Sequence, residues 1–375
     1  MFSIPIPFSE NYTVMNKFFK LDWVLIIAVI LFLVISLLII YSISFNGSIL
    51  NPLNLQKQIV SIIIGLALMF FLAFLDYRLL NYHSTKLYFL MTLILVAVIL
   101  VGKTVKGNTG WLDFFSFNVQ PVEIAKIVLI IFLASFLSKK KTQLSILVRI
   151  IASVVLIFIP TFLILRQPDL GSAIIILFVW LVLLLASGLN KKNLALLLMA
   201  GFFTVLISWF FLADYQKNRI VNFINPNSDP QGSGYNVIQA TIAVGSGGIF
   251  GKGIGHGSQS QLNFLPEKHT DFIFSVITEE LGLVGALVVF TLFGIIFWRL
   301  KETARMARDN FGYLVALGIL AMIFFQTFIN IGMNIGIMPV AGVPLPFLSY
   351  GGSSMVIMLS AIGLAQSVYL RRIKA

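Results

Sequence analysis

The sequence predicts an all-α polytopic membrane protein, and three observations carry that expectation. Of 375 residues, 59% are hydrophobic and 11% charged, against about 25% charged in an ordinary soluble domain. The apolar residues gather in about ten runs of near-membrane length. The basic residues alternate between the segments that join those runs.

In chain order the runs are Trp23 to Tyr41, Ile59 to Leu75, Leu87 to Val101, Pro121 to Leu137, Ile150 to Leu165, Ser172 to Ala186, Leu194 to Ala213, Phe272 to Trp298, Tyr313 to Asn334 and Met355 to Leu370. Several fall short of the roughly 20 residues a perpendicular helix needs, so their ends borrow polar neighbours. With the N-terminus inside, the inner segments hold 17 of the 26 basic residues. The outer segments, longer in total, hold 8, and Lys126 lies within a span. Ten spans with both termini cytoplasmic is therefore self-consistent, in a membrane protein whose net charge of +12 is mostly topology. No nucleic-acid partner is expected from that charge.

Residues 1–20 form a cytoplasmic segment without the features of a cleavable signal peptide, and Met15 is a plausible alternative start. Residues 21–375 read as one membrane domain. No repeat of fixed period and no inverted pair of broken helices is evident. The absence of cysteine excludes disulfides, a thiol nucleophile and Cys-ligated metal, and His83, His256 and His269 lie far apart in the chain. On the inner side Glu10, Asp22, Asp76, Glu302 and Asp309 balance neighbouring cations. No carboxylate recurs along several spans as a proton relay would require, so the chemistry is expected to face outward.

The only long polar segment, residues 214–271, is expected on the outer face and is too apolar in places to be disordered. It contains nine glycines between Gly232 and Gly257. Neither a Walker A loop nor a dinucleotide fingerprint fits their spacing. Two readings stand: tight turns with close packing at the membrane surface, or a cradle for a phosphate-bearing lipid.

Three further places hold outward charge. In Gln120-Pro121-Val122-Glu123-Ile124-Ala125-Lys126, Glu123 and Lys126 share a helix face, as a structural ion pair or a functional one. In Arg166-Gln167-Pro168-Asp169, Arg166 either pairs with Asp169 or grips a lipid phosphate. Glu267 to Asp271 places Lys268 and His269 beside two carboxylates, and Asp271 is either a helix cap or a chemical group. Glu279 and Glu280 read as structural. Trp111 is either an interfacial anchor or a platform for a sugar.

These stretches resemble the SEDS family of peptidoglycan glycosyltransferases. The resemblance rests on LNFLPEKHTDFIFSVITEELG (Leu262 to Gly282), VPLPFLSYGGSS (Val343 to Ser354), RQPDLGS (Arg166 to Ser172) and QPVEIAK (Gln120 to Lys126), and covers the chain from about Leu21 onward. GSGYNVIQA, GSQSQLNFLPE and Pro344 make it most similar to the RodA branch, which serves elongation and rod shape. Val122 and Ser172 depart from the residues common in the family, beside its charged positions and not among them.

The resemblance implies a processive polymerase of lipid II, with Asp271 at the family's essential carboxylate. It implies no covalent nucleophile: one general base deprotonates the acceptor hydroxyl, and the pyrophosphate leaves. Arg166, Lys126, Lys268 and Arg219 are the candidate cations for that pyrophosphate, Glu123 pairs with Lys126, and Trp111 and His269 are further candidate substrate contacts. A divalent cation, Mg or Mn, is a possible addition. The implied partners are a class B penicillin-binding protein and the membrane proteins of the rod complex. The competing readings are an FtsW-like division or a sporulation polymerase, a lipid II flippase, and a non-enzymatic scaffold.

Overall fold

The computed structural model describes residues 18–373, except 47–48, 51–52, 106–107, 115–116, 140–145, 189–191, 226–232 and scattered positions between 198 and 213. In chain order the elements are α1 (Trp23–Ile43), the hairpin β1 (Phe45–Asn46) and β2 (Ile49–Leu50), α2 (Leu53–Phe74) and α3 (Tyr77–Val101). The antiparallel strands β3 (Lys103–Val105), β4 (Asn108–Phe114) and β5 (Phe117–Val119) precede α4 (Pro121–Ser138), α5 (Ile146–Arg166) and α6 (Leu170–Ala186). Then come α7 (Asp214–Ile224), α8 (Ser233–Ser246), the single turn α9 (Ser258–Gln261), α10 (Ile273–Arg305), α11 (Asn310–Asn334) and α12 (Gly352–Leu370). The strands were not anticipated; they occupy the connections after α1 and α3 and leave the bundle all-α.

Eight described helices are long and apolar enough to cross a membrane, and α6 is apolar but has only 17 residues. The seventh expected span, Leu194 to Ala213, lies largely outside the described residues, as do residues 1–17 with Glu10. Four helices start on an aspartate that takes an otherwise unbonded first-turn N–H. Asp22 accepts from Leu25, Asp76 from Arg78, Asp169 from Ser172 and Asp309 from Gly312. Pro121 opens α4, where a missing N–H costs nothing.

α4, α11 and α12 are the most enclosed spans, whereas α2, α3 and α5 turn most of their apolar surface outward. That division suits a bundle in lipid, where outer faces need not be polar. At one end of the bundle the acidic residues sorted to the inner side meet cations sorted to the same side. Asp22 bonds Arg299 at 2.7 Å, Asp76 lies 3.3 Å from Arg371, Asp309 lies 3.5 Å from Arg78, and Glu302 bonds Arg305 at 2.9 Å. Gln366 clasps the backbone of Asp22 from α12 and closes that end.

Helices α2 and α12 approach closely through small residues, as helices in lipid do when packing and not hydrophobicity drives association. A methyl group on Gly363 would overlap the Met69 backbone carbonyl. Gly363→Ala is therefore expected to part the two helices and cost about 1–3 kcal/mol of stability. Thermal unfolding in detergent reads this, with Gly294→Ala as the control, since nothing lies within 4 Å of a methyl there.

Candidate active site

The segment 343–351 enters the bundle as irregular backbone. Phe347, 1% exposed, packs on Phe32 and, through it, Phe293, with ring centroids 6.2 and 4.4 Å apart. Such backbone survives at membrane depth only where protein groups satisfy it. Here Ser36 donates to Leu348 O at 2.7 Å, Gln326 to Pro344 O at 2.9 Å and Asn330 to Val343 O at 2.7 Å. Leu345 N donates to Ser349 Oγ at 2.7 Å.

That segment holds the next one. Tyr350 N donates to His269 O at 2.8 Å and Ser349 Oγ to Thr270 O at 2.6 Å. Asn330 and Asn334, one turn apart on α11, both donate to Asp271 O, at 3.0 and 2.9 Å. Asn334 Oδ1 in turn accepts from Ser275 N at 3.0 Å and Ser275 Oγ at 2.6 Å. The start of α10 is thus capped by Asn334. The N-cap position of α10 is Phe272, one residue after Asp271, and Phe272 makes no side-chain cap bond. Asp271 lies near Gly342, where a methyl would sit 3.8 Å from Oδ2.

The other two motifs join the same assembly. Gln120 Nε2 donates to Asp169 at 3.2 Å, Gln120 N donates to Ser353 Oγ at 3.0 Å, and Ser353 Oγ donates to Asn118 O at 3.0 Å. Gly171 lets α6 touch the backbone of Ala341, beside Gly342. All four motifs therefore meet at one end of the bundle, opposite the paired charges of the other end.

The candidate charges fare differently there. Glu123 and Lys126 bond at 2.7 Å, with side chains 3% and 2% exposed, and Glu123 Oε2 has no hydrogen-bond partner. Asp169 is taken by Gln120 and the Ser172 N–H, and Arg166 is exposed with its guanidinium 5.9 Å from the Phe162 ring. Lys268 is buried and donates to Ser260 O at 2.6 Å and Asn263 Oδ1 at 2.8 Å. Burial pulls its ammonium below the ordinary lysine range, against the opposing pull of Glu280. In this position Lys268 ties the loop together. Trp111 is half-buried on β4, opposite Lys103 of β3, and Arg219 lies on α7, which packs on α8. Among the described residues no three His, Asp or Glu side chains cluster as a metal site.

Within the glycine-rich stretch, Gly247 and Gly251 pack closely on the backbone of α10. Gly282 (φ 66°) breaks α10, so Leu283 N and Val284 N bond Gly248 O and Ile249 O at 2.9 and 3.2 Å. The carbonyls they leave, Glu279 O and Glu280 O, accept from Lys252 N and Gly253 N at 3.0 Å each. Gly251 (φ 78°) lies so close to the Glu280 carbonyl that a methyl would overlap it. These N–H groups are engaged by α10, which removes the phosphate-cradle alternative for them.

Sequence profile and neighbours agree with the four motifs. The profile of the FtsW/RodA/SpoVE family, described as cell cycle proteins, matches residues 22–372. The chain belongs to this family. It is 41% identical to peptidoglycan glycosyltransferase MrdB of Escherichia coli K12 over 355 residues, 94% of each chain. It is 36% identical to stage V sporulation protein E of Bacillus subtilis, over 92% of this chain and 96% of that one. Among solved structures, a chain of a peptidoglycan synthase complex that coordinates polymerization and crosslinking superposes with TM-score 0.80 at 32% identity, over 95% of this chain and 99% of that one. Rod shape determining protein RodA of Thermus thermophilus gives 0.72 at 29%, over 95% and 98%.

Asn330 and Asn334 escaped the sequence reading. Their signal was there: two amides one turn apart inside an apolar span, where each must be matched. Asn334→Ala leaves the Ser275 N–H without its acceptor and weakens the hold on Asp271 O. It is expected to cost about 2–4 kcal/mol, read as a lowered unfolding midpoint, with glycan polymerisation falling in the same samples.

Proposed function

We propose that the chain polymerises lipid II into glycan strands for cell elongation, with Asp271 as the general base. The observation that carries this is the treatment of Asp271: its backbone is gripped by two asparagines while the helix cap is supplied by another residue. A backbone fixed in this way suits a group that must meet a substrate. The carboxylate takes the proton of an acceptor GlcNAc hydroxyl as that oxygen bonds the anomeric carbon. The bond to pyrophosphate breaks, and the leaving group departs with the electron pair. Direct displacement inverts the anomeric centre, so no second carboxylate is required as nucleophile.

Arg166 is the exposed cation assigned to the pyrophosphate, with Arg219 and a divalent cation as further contributors. Such a cation would take most of its ligands from phosphate oxygens and water. Trp111 and His269 remain proposed contacts to the substrate. Lys268 is assigned to hold the loop, and the Glu123–Lys126 pair to brace α4 beneath the site. The positive-inside distribution supports ten spans, both termini cytoplasmic, residues 214–271 and the site facing outward. A class B penicillin-binding protein, within the rod complex, is the proposed partner; MrdB and the synthase-complex chain support that assignment.

Incubating the purified protein with lipid II, with and without that partner, is expected to yield glycan strands resolvable on a gel. Lipid translocation in liposomes without any polymer would overturn the proposal in favour of a flippase.

A further inference from the structure

Two turns below Asp271, α10 carries Glu279, a carboxylate buried to 0% exposure at the outer end of a membrane-spanning helix. An ionisable group so placed needs matching, and every partner it has belongs to the loop that precedes Asp271. Oε1 accepts from Gln259 N at 2.8 Å and Lys252 Nζ at 3.0 Å, with Ser258 Oγ at 3.4 Å, and Oε2 accepts from Ser260 N at 3.0 Å. Gln259 and Ser260 lie in the first turn of α9, whose own cap, Gly257, has no side chain. Glu279 replaces that cap from a different helix.

The contact continues toward the site. Ser260, whose N–H Glu279 holds, offers its carbonyl to Lys268 Nζ at 2.6 Å. Lys268 stands three residues before Asp271, in a tight turn where Thr270 N and Phe272 N both donate to Glu267 O, at 3.1 and 3.3 Å. The Asp271 segment is thus held from two sides. Asn330, Asn334, Ser349 and Tyr350 hold one side, and Glu279 holds the other through Ser260 and Lys268.

We propose that Glu279 is a positioning residue of the glycosyl transfer, setting through Ser260 and Lys268 where Asp271 stands against the acceptor hydroxyl. The inference rests on the reading of Asp271 as base and adds to it the support that the motif alone does not reveal. Misplacing a reacting group by about 1 Å can lower a rate up to about 100-fold with little change in binding.

Two variants disturb the contact from opposite directions. Glu279→Gln keeps the shape but turns an amide N–H₂ toward backbone N–H donors. Gly257→Ala, at an ordinary φ of −70°, introduces a methyl that overlaps Ser260 Oγ and stands 2.7 Å from Glu279 Oε2, and leaves the charge in place. Each is expected to lower kcat for lipid II polymerisation about 10-fold or more with KM within about twofold. Glu279→Asp, one methylene shorter, is expected to restore part of kcat in the Gly257→Ala background by making room on the carboxylate side of the methyl, with the Ser260 hydroxyl turned away from it. A purely structural role would lower the amount of folded protein and leave kcat per folded molecule unchanged. Wild-type kcat in folded Glu279→Gln or in Gly257→Ala overturns the proposal; if Glu279→Gln does not fold, Gly257→Ala with and without Glu279→Asp decides. Asp271→Ala separates the two readings. If it is inactive while Glu279→Gln and Gly257→Ala both turn over normally, only the positioning role falls. If Asp271→Ala is itself active, the base assignment falls, and with it the positioning role that depends on it.

Discussion

Asp271→Ala is expected to lower lipid II polymerisation by about 10²–10⁴-fold, the range lost with a general base, while leaving the protein folded. Both halves follow from the same geometry. The α10 start is capped by Asn334 through the Ser275 N–H, a bond that the substitution leaves in place. The bonds that place residue 271 run to its backbone carbonyl, which alanine keeps. The variant should therefore purify in wild-type yield, unfold at the wild-type temperature and still bind its partner. Asp271→Asn, which preserves size and loses basicity, should be as inactive. A folded alanine variant that makes glycan at the wild-type rate would remove Asp271 from the chemistry. A variant inactive because it is unfolded would assign the carboxylate to the fold and not to the chemistry.

Much of the fold was legible because lipid imposes simple rules. Apolar runs marked the nine expected spans that fall within described helices, and the charges sorted to one side pair with one another, though not with sequence neighbours: Asp22 with Arg299, Asp76 with Arg371, Asp309 with Arg78. The hairpins after α1 and α3 were not legible, since short antiparallel pairs in connections leave no period long enough to read. The site divided similarly. Its motifs were visible through family resemblance, but how they interlock was not. Bonds such as Gln120 to Asp169 or Ser349 to Thr270 join residues 49 and 79 positions apart. Glu279 read as merely structural because its partners lie in a loop whose path depends on the break at Gly282. Lys268 read as a phosphate ligand because charge in an outer loop looks available until burial is known.

Glu123 and Lys126 give the second large effect, on stability. Lys126→Met leaves the Glu123 carboxylate buried at 3% exposure, one oxygen already without a partner and the other now deprived of its 2.7 Å bond. Breaking a buried pair from one side costs about 3–5 kcal/mol, enough to lower the unfolding midpoint in detergent by many degrees. Replacing both members should reverse most of that loss. Glu123→Gln removes the stranded charge, and the thioether side chain introduced by Lys126→Met would lie against Leu129, Leu133, Ile175, Ile176 and Val179, around a cavity of about 10 Å³ that already borders the lysine stem. The double variant then separates two roles that the single variants confound. If the pair only braces α4 against α6, the restored fold should restore polymerisation. If Lys126 also reaches substrate phosphate, stability should recover while KM for lipid II stays raised. We expect the first outcome, because an ammonium 2% exposed and bonded to a neighbouring carboxylate has little reach toward a ligand outside the bundle.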